Sequence, residues 1–505
     1  MFIEPRYEEI VCKTEVKKLL SETNAECRTD IPADGVEKVL SVSAHAVLTG
    51  EEVTAGQFRY SGRAVFCVAY LAADGAVRKT ECGAEFSNSV KTDVEDPATS
   101  RTEIHVSRAV AEKSGGILVV RAVISAETRF FAERRGKALV GGENLIVKKC
   151  GMKRVKETRL PAAVYPLEEE FELNYAVGDA ILHSAKAVVT TVQCGVGTVI
   201  CDGELILTVC FLQKIENSDI LKETRTFPFR METEAEDALP VCPADCEAAL
   251  RGLSLNINVD ENTGRSTVRV NAEIALSCAC FEESEAEYAA DCYSPLCEVK
   301  YSACECNAEC VSGEKTLEKR VSGRGVFSSP LEAGARLMCC ANEKITLTSV
   351  TAGDAVSVEG VLEATAFLKD IDGKVFSVPL EAPFSAVLEY DVGDDRYRVD
   401  AAVCECGARI SSLESFEMDA LVKFRIRTYR KTGEKVVGEV EEGEEKKPAA
   451  SAVSVYIPLE GEELWDVAKR LNSSPETIAE TNADLTYPLS GNERIVIYRQ
   501  EKKEY

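Results

Sequence analysis

Apolar and polar residues alternate with a period of two along most of the chain, a pattern that predicts β-strands with one buried face. The alternation recurs in three long copies. Around Gly62 the chain reads FRYSGRAVFCVAYLAADGAVRKTECGAEFS, around Gly203 VICDGELILTVCFLQKIENSDILKETRTFPFR, and around Gly360 VSVEGVLEATAFLKDIDGKVFSVPLEAPFS. Each copy has a glycine, a strand, a turn, a second strand and a closing aromatic at Phe86, Phe229 or Phe384. Glycine and phenylalanine stand 24 residues apart in the first and third copies and 26 in the second, and the difference falls in the turn. Asp74-Gly75 and Asp372-Gly373 supply the positive φ that a tight hairpin needs. Alternation alone leaves open whether Val65, Cys67 and Ala69 or Ala64, Phe66 and Val68 face the core.

A strand-like lead precedes each copy, and a second extended pair follows it. The glycines lie 141 and 157 residues apart. A repeat near that length is a domain-sized unit with its own core, not a solenoid turn. The predicted fold is therefore mainly β, with three tandem β-rich domains at 1–142, 143–297 and 298–433. Residues 434–452 read as a charged flexible linker, because Gly438 to Ala452 is dense in Glu, Lys, Gly and Ala. That linker is expected to let the C-terminal part move independently.

The last stretch, 453–500, changes period. Val453, Val455 and Ile457 alternate as a strand. Leu464, Val467, Ala468 and Leu471 then fall on one helical face, and Ser474-Pro475 is an N-cap followed by proline at the first helical position. Ile495, Val496 and Ile497 close the unit as a strand, so the predicted order is βααβ.

Composition narrows the function classes. The net charge of −26 argues against nucleic acid and against anionic membrane surfaces. No window approaches ~18 consecutive apolar residues, so no membrane insertion is expected. The opening MFIEPRYEEIVCKTEVKKLL has no basic region followed by an apolar one, which predicts a cytoplasmic protein. In that setting the 21 cysteines are expected as thiols packed like small hydrophobes. There is no C-x-x-C, and Cys242/Cys246 and Cys306/Cys310 offer only half-sites, so no metal is assigned. His45, His105 and His183 are the only histidines. Nucleophile-elbow, P-loop and dinucleotide motifs are lacking, so no catalytic residue and no cofactor is assigned.

The C-terminal stretch resembles a LysM domain through Gly461-Glu462-Glu463-Leu464, Trp465, Ala468, Ile478, Asn482, Leu489 and Gly491. The resemblance implies a shallow groove between the loops Glu460–Leu464 and Ala483–Ser490, where LysM domains bind N-acetylglucosamine glycans. The candidate binding residues are Gly461, Glu462, Glu463, Leu464, Trp465, Asn482, Asp484, Leu485, Thr486 and Tyr487. Where the family has Asp-Thr, this chain has Glu462-Glu463, and a neutral sugar gains little from two carboxylates whose water it must displace. Taken with the three repeats and the segment DCYSP (Asp291 to Pro295), the chain resembles the SPOCS-domain proteins of spore-forming Firmicutes. That resemblance implies a non-enzymatic spore-coat scaffold made in the mother cell and placed at the forespore surface. Its LysM domain would dock onto a morphogenetic ATPase of the coat's basement layer. A peptidoglycan-binding protein of the wall or cortex is the alternative.

Overall fold

The computed structural model describes residues 2–498 apart from 55, 95–97, 215–218, 237, 306, 434 and 448–452. The chain is mainly β, in small antiparallel sheets, with two short helices near its C-terminal end. The first set of strands is β1 (Glu4–Pro32), β2 (Val36–Thr54), β3 (Gln57–Ala72), β4 (Val77–Lys91), β5 (Ala98–Ser114) and β6 (Ile117–Glu143). The second is β7 (Ile146–Arg159), β8 (Ala163–Leu173), β9 (Val177–Cys194), β10 (Thr198–Gln213), β11 (Ile220–Glu234), β12 (Ala244–Asp260) and β13 (Arg265–Tyr293). The third is β14 (Cys297–Glu305), β15 (Ala308–Val326), β16 (Arg336–Ala352), β17 (Val356–Lys369), β18 (Val375–Leu388), β19 (Arg396–Ile410), β20 (Ser415–Thr432) and β21 (Lys435–Glu445).

Each set repeats one plan. A three-stranded meander (β2-β3-β4, β9-β10-β11, β16-β17-β18) forms one sheet, and the flanking strands form another, as in β1-β6-β5 and β15-β20-β19. A separate buried apolar cluster fills each set. The register explains the repeated glycine and aromatic: Gly62 pairs with Phe86, Gly203 with Phe229 and Gly360 with Phe384. Each ring lies across its glycine. A Cβ there would come within 2.8 Å of Phe86 Cε1, 2.7 Å of Phe229 Cε2 or 2.7 Å of Phe384 Cε1.

The open question of which face is core has a double answer. Ala64, Phe66 and Val68 point into the first unit's core. Cys67, Ala69 and Leu71 are buried too, in a cluster that also takes Ile181 and Cys210 from the second set and Ala341 and Phe367 from the third. Both faces of the strand end are covered, so alternation carries no inside-outside signal there. The three meanders meet cyclically: β3 and β4 on β9, β10 and β11 on β16, and β18 on β2.

Two expectations change. Lys435–Glu445, taken as linker, is strand β21, paired with β14. Val436 and Val437 are buried there, and Gly438 lets the backbone run against Ser302, where a Cβ would meet Oγ at 2.8 Å. Cys246 and Cys278, expected as thiols, form a disulfide between directly opposed positions of β12 and β13. Residues 448–452 of the linker, and Cys306, lie outside the described residues.

The C-terminal unit runs β22 (Val453–Tyr456), α1 (Leu464–Leu471), α2 (Pro475–Thr481) and β23 (Ile495–Tyr498), with β22 antiparallel to β23. Val467, Ala468, Ile478, Leu489, Ile495 and Ile497 make its core, joined by Tyr293 from the end of β13.

Candidate functional site

The two loops of the expected groove abut. Gly461 N–H donates to the Leu489 carbonyl at 2.8 Å, and Leu489 N–H donates to the Glu462 carbonyl at 2.9 Å. Gly461 sits at φ +86°, in the left-handed region that glycine enters without strain.

Glu462 is buried and fully engaged. Its carboxylate accepts from the Leu459 N–H at 2.8 Å and the Tyr456 hydroxyl at 3.0 Å, and it pairs with Arg470 at 2.7 Å. Glu463 is the N-cap of α1 and forms a reciprocal capping box with Asp466. Leu464 packs against the unit's core. The Asn482 amide latches α2 to β23: Nδ2 donates to the Val496 carbonyl and Oδ1 accepts from the Val496 N–H, both at 2.8 Å. Asp484 and Thr486 are exposed, while Leu485 and Tyr487 are half-buried against the core. Of the ten candidates, the glutamates and Asn482 thus serve the fold of the unit itself.

Trp465 turns toward the body of the chain. Its indole N–H donates to Asp291 Oδ2 at 2.8 Å, and its ring meets Tyr293 edge-on with centroids 5.1 Å apart. Lys469 Nζ lies 2.6 and 2.7 Å from the two Asp291 oxygens, and the Tyr293 hydroxyl donates to the Ser473 carbonyl at 2.5 Å. Lys446 adds a further tie, donating to Asn472 Oδ1 at 2.6 Å and the Ser294 carbonyl at 2.8 Å. Burial works to raise the Asp291 carboxyl, but the hydrogen bonds from Lys469, Trp465 and Tyr301 outweigh it and hold the group below the ordinary aspartate range. The DCYSP segment is therefore the seat of the C-terminal unit. These contacts join the unit, expected to be free of the body, to the end of β13.

Sequence reasoning missed the surface that remains. Val453, Val455, Ile457 and Leu459 are 50, 61, 66 and 61 % exposed, so the alternating apolar face of this segment points to solvent. The alternation was readable, but the inward side of the small sheet is taken by Tyr456, Ile495 and Ile497 instead. A second missed feature is a cleft of about 660 Å³ between the sets, lined by Lys13, Arg101, Arg159 and Arg396 among others. These four cations are already paired, with Glu157, Glu247, Glu157 and Glu15 respectively.

No helix among the described residues is long and apolar enough to cross a membrane. No protein-family model matches the chain, and no curated protein and no solved structure matches it.

Proposed function

We propose that the chain is a non-enzymatic scaffold of the spore envelope whose C-terminal unit docks onto a protein of the coat's basement layer. The observation that carries the docking is the exposed row Val453, Val455, Ile457 and Leu459. Four exposed apolar side chains on alternate positions of one short segment make a row that a protein partner can cover. Among the described residues β22 pairs with β23, which leaves this row on the outward side of a two-stranded sheet.

The LysM and SPOCS resemblances supply the setting: the mother cell, the forespore surface and a morphogenetic ATPase as partner. A glycan is the weaker ligand. Glu462 and Asn482, two polar groups at the groove, spend their hydrogen bonds inside the unit.

The test is capture of the full chain by the purified basement-layer ATPase. Val455→Glu with Ile457→Glu is expected to abolish capture while thermal unfolding stays where it was. Retention on purified peptidoglycan without capture by the ATPase would assign the unit to glycan binding and end the scaffold reading.

A further inference from the structure

The three corresponding contacts between the meanders are closed differently. Where β10 and β11 meet β16, Lys222 Nζ pairs with Glu343 Oε1 at 2.6 Å. Where β17 and β18 meet β2, Ser377 Oγ donates to the Leu40 carbonyl at 2.6 Å and Ser41 Oγ lies 3.2 Å from Thr365 Oγ1. Each of these two contacts brings polar groups into direct pairing.

The contact of β3 and β4 with β9 is different. Cys67 on β3 stands directly opposite Glu81 on β4, and β9 lays His183 over them. The Cys67 Sγ, a Glu81 carboxylate oxygen and a His183 ring nitrogen all lie within 4.8 Å of one another. His183 Nδ1 is 3.9 Å from Glu81 Oε1, beyond hydrogen-bond reach, and it is shut off from solvent with no hydrogen-bond partner. The Cys67 thiol makes a weak contact, 4.0 Å from the Ile181 carbonyl. A buried ring nitrogen left unpaired is unfavourable, and here a thiol and a carboxylate face it.

We propose that Cys67, Glu81 and His183 bind one zinc ion that clips the first β unit to the second. A thiolate, an imidazole and a carboxylate converging from three strands are the donor types zinc takes, and three protein ligands leave a fourth position for water. Zinc–ligand bonds of about 2.0–2.3 Å put neighbouring ligand atoms within about 4 Å of each other, so small rotations close the present spacing. Binding removes the thiol proton of Cys67, which leaves to solvent as the Sγ–metal bond forms. Lys79, now 2.7 Å from Glu81 Oε1 and partly exposed, can turn out to water as the metal takes the carboxylate.

The experiment uses the full chain, reduced and stripped of metal, then loaded with zinc or cobalt and passed over a desalting column. Because the other cysteines give a background, the readout is the difference from Cys67→Ser, His183→Gln and Glu81→Gln. Wild type is expected to retain one zinc more than any variant and to unfold at a higher temperature with zinc than without it. Its cobalt form is expected to show a thiolate charge-transfer band that Cys67→Ser lacks. Glu81→Gln changes a partly exposed side chain, and its unchanged metal-free unfolding temperature controls for folding. Equal zinc retention by wild type, His183→Gln and Glu81→Gln, or no retention by wild type, would overturn the site.

Discussion

Arg427 donates from Nη1 to Asp245 Oδ1 at 2.8 Å, and both side chains are 1 % exposed. The pair joins β20 of the third unit to β12 of the second. Around it, Arg427 Nη2 donates to Asp400 Oδ2 at 2.6 Å, Arg101 of the first unit lies 2.8 Å from Glu247, and Arg398 pairs with Glu103. Strands β5, β12 and β19, which occupy the same place in the three units, thus bring their charges to one buried knot. Such a network costs much to desolvate and adds little over an apolar core, but removing one partner leaves a charge stranded.

Asp245→Ala is therefore expected to cost about 3–5 kcal/mol, read as a lower urea midpoint. Replacing Asp245 and Arg427 together with apolar residues should cost clearly less than the two single changes summed. A strictly additive pair would contradict the direct coupling seen here.

The same carboxyl sets an acid limit. Burial pushes Asp245 up, but Arg427, Arg101 and Arg425 more than offset it, and the group is held well below the ordinary aspartate range. A carboxyl depressed by folding stabilises the native state above its unfolded pKa of about 3.9, and that contribution fades as pH falls below it. Stability from this knot should be level from neutral pH to about 5 and then decline with acid. Asp245→Asn should flatten the decline; an acid limb of the same depth in both proteins would remove Asp245 from the account.

Gly203→Ala is expected to destabilise by about 1–3 kcal/mol, because the new methyl group must displace the Phe229 ring and the facing strand. The Val188 carbonyl would lie only 2.6 Å from the added Cβ. The companion Phe229→Leu should relieve much of that loss, and chemical denaturation of the four proteins checks both. No rescue by the smaller side chain would place the strain in the backbone instead.

This pairing was legible in the sequence because its partners sit on consecutive strands, 24 or 26 residues apart. What pairs over long separations was not. Val436 and Val437 are hidden among glutamates and reveal a strand only beside Cys304 and Ala303. Cys67, Glu81 and His183 have no motif spacing and meet only when β9 crosses the first meander. The apolar row from Val453 was visible as alternation, yet its direction depends on which side α1 and α2 cover. The candidate groove residues were found by pattern, but Glu462, Glu463 and Asn482 bond to other residues of the unit and Trp465 bonds to Asp291.

Trp465 offers a direct view of the C-terminal contact, since it is the only tryptophan in the chain. Its indole is held by Asp291 and stacked edge-on against Tyr293, a partly buried setting. Asp291→Ala removes the acceptor of Trp465 and the counter-ion of Lys469 in one step. The tryptophan emission should then shift to longer wavelength as water reaches the ring. Trypsin should also cut after Lys446 faster, because that side chain bridges Ser294 and Asn472 only while the unit is seated. The three sets of strands should keep their unfolding midpoint, since their cores lie elsewhere. The seat also titrates: Asp291 is depressed when docked, so docking weakens as pH falls below about 4, and the emission should shift over that range in wild type. In Asp291→Ala that acid-dependent shift should be gone. An unchanged emission spectrum at neutral pH would mean that Tyr293 and the Ser473 carbonyl hold the unit without Asp291.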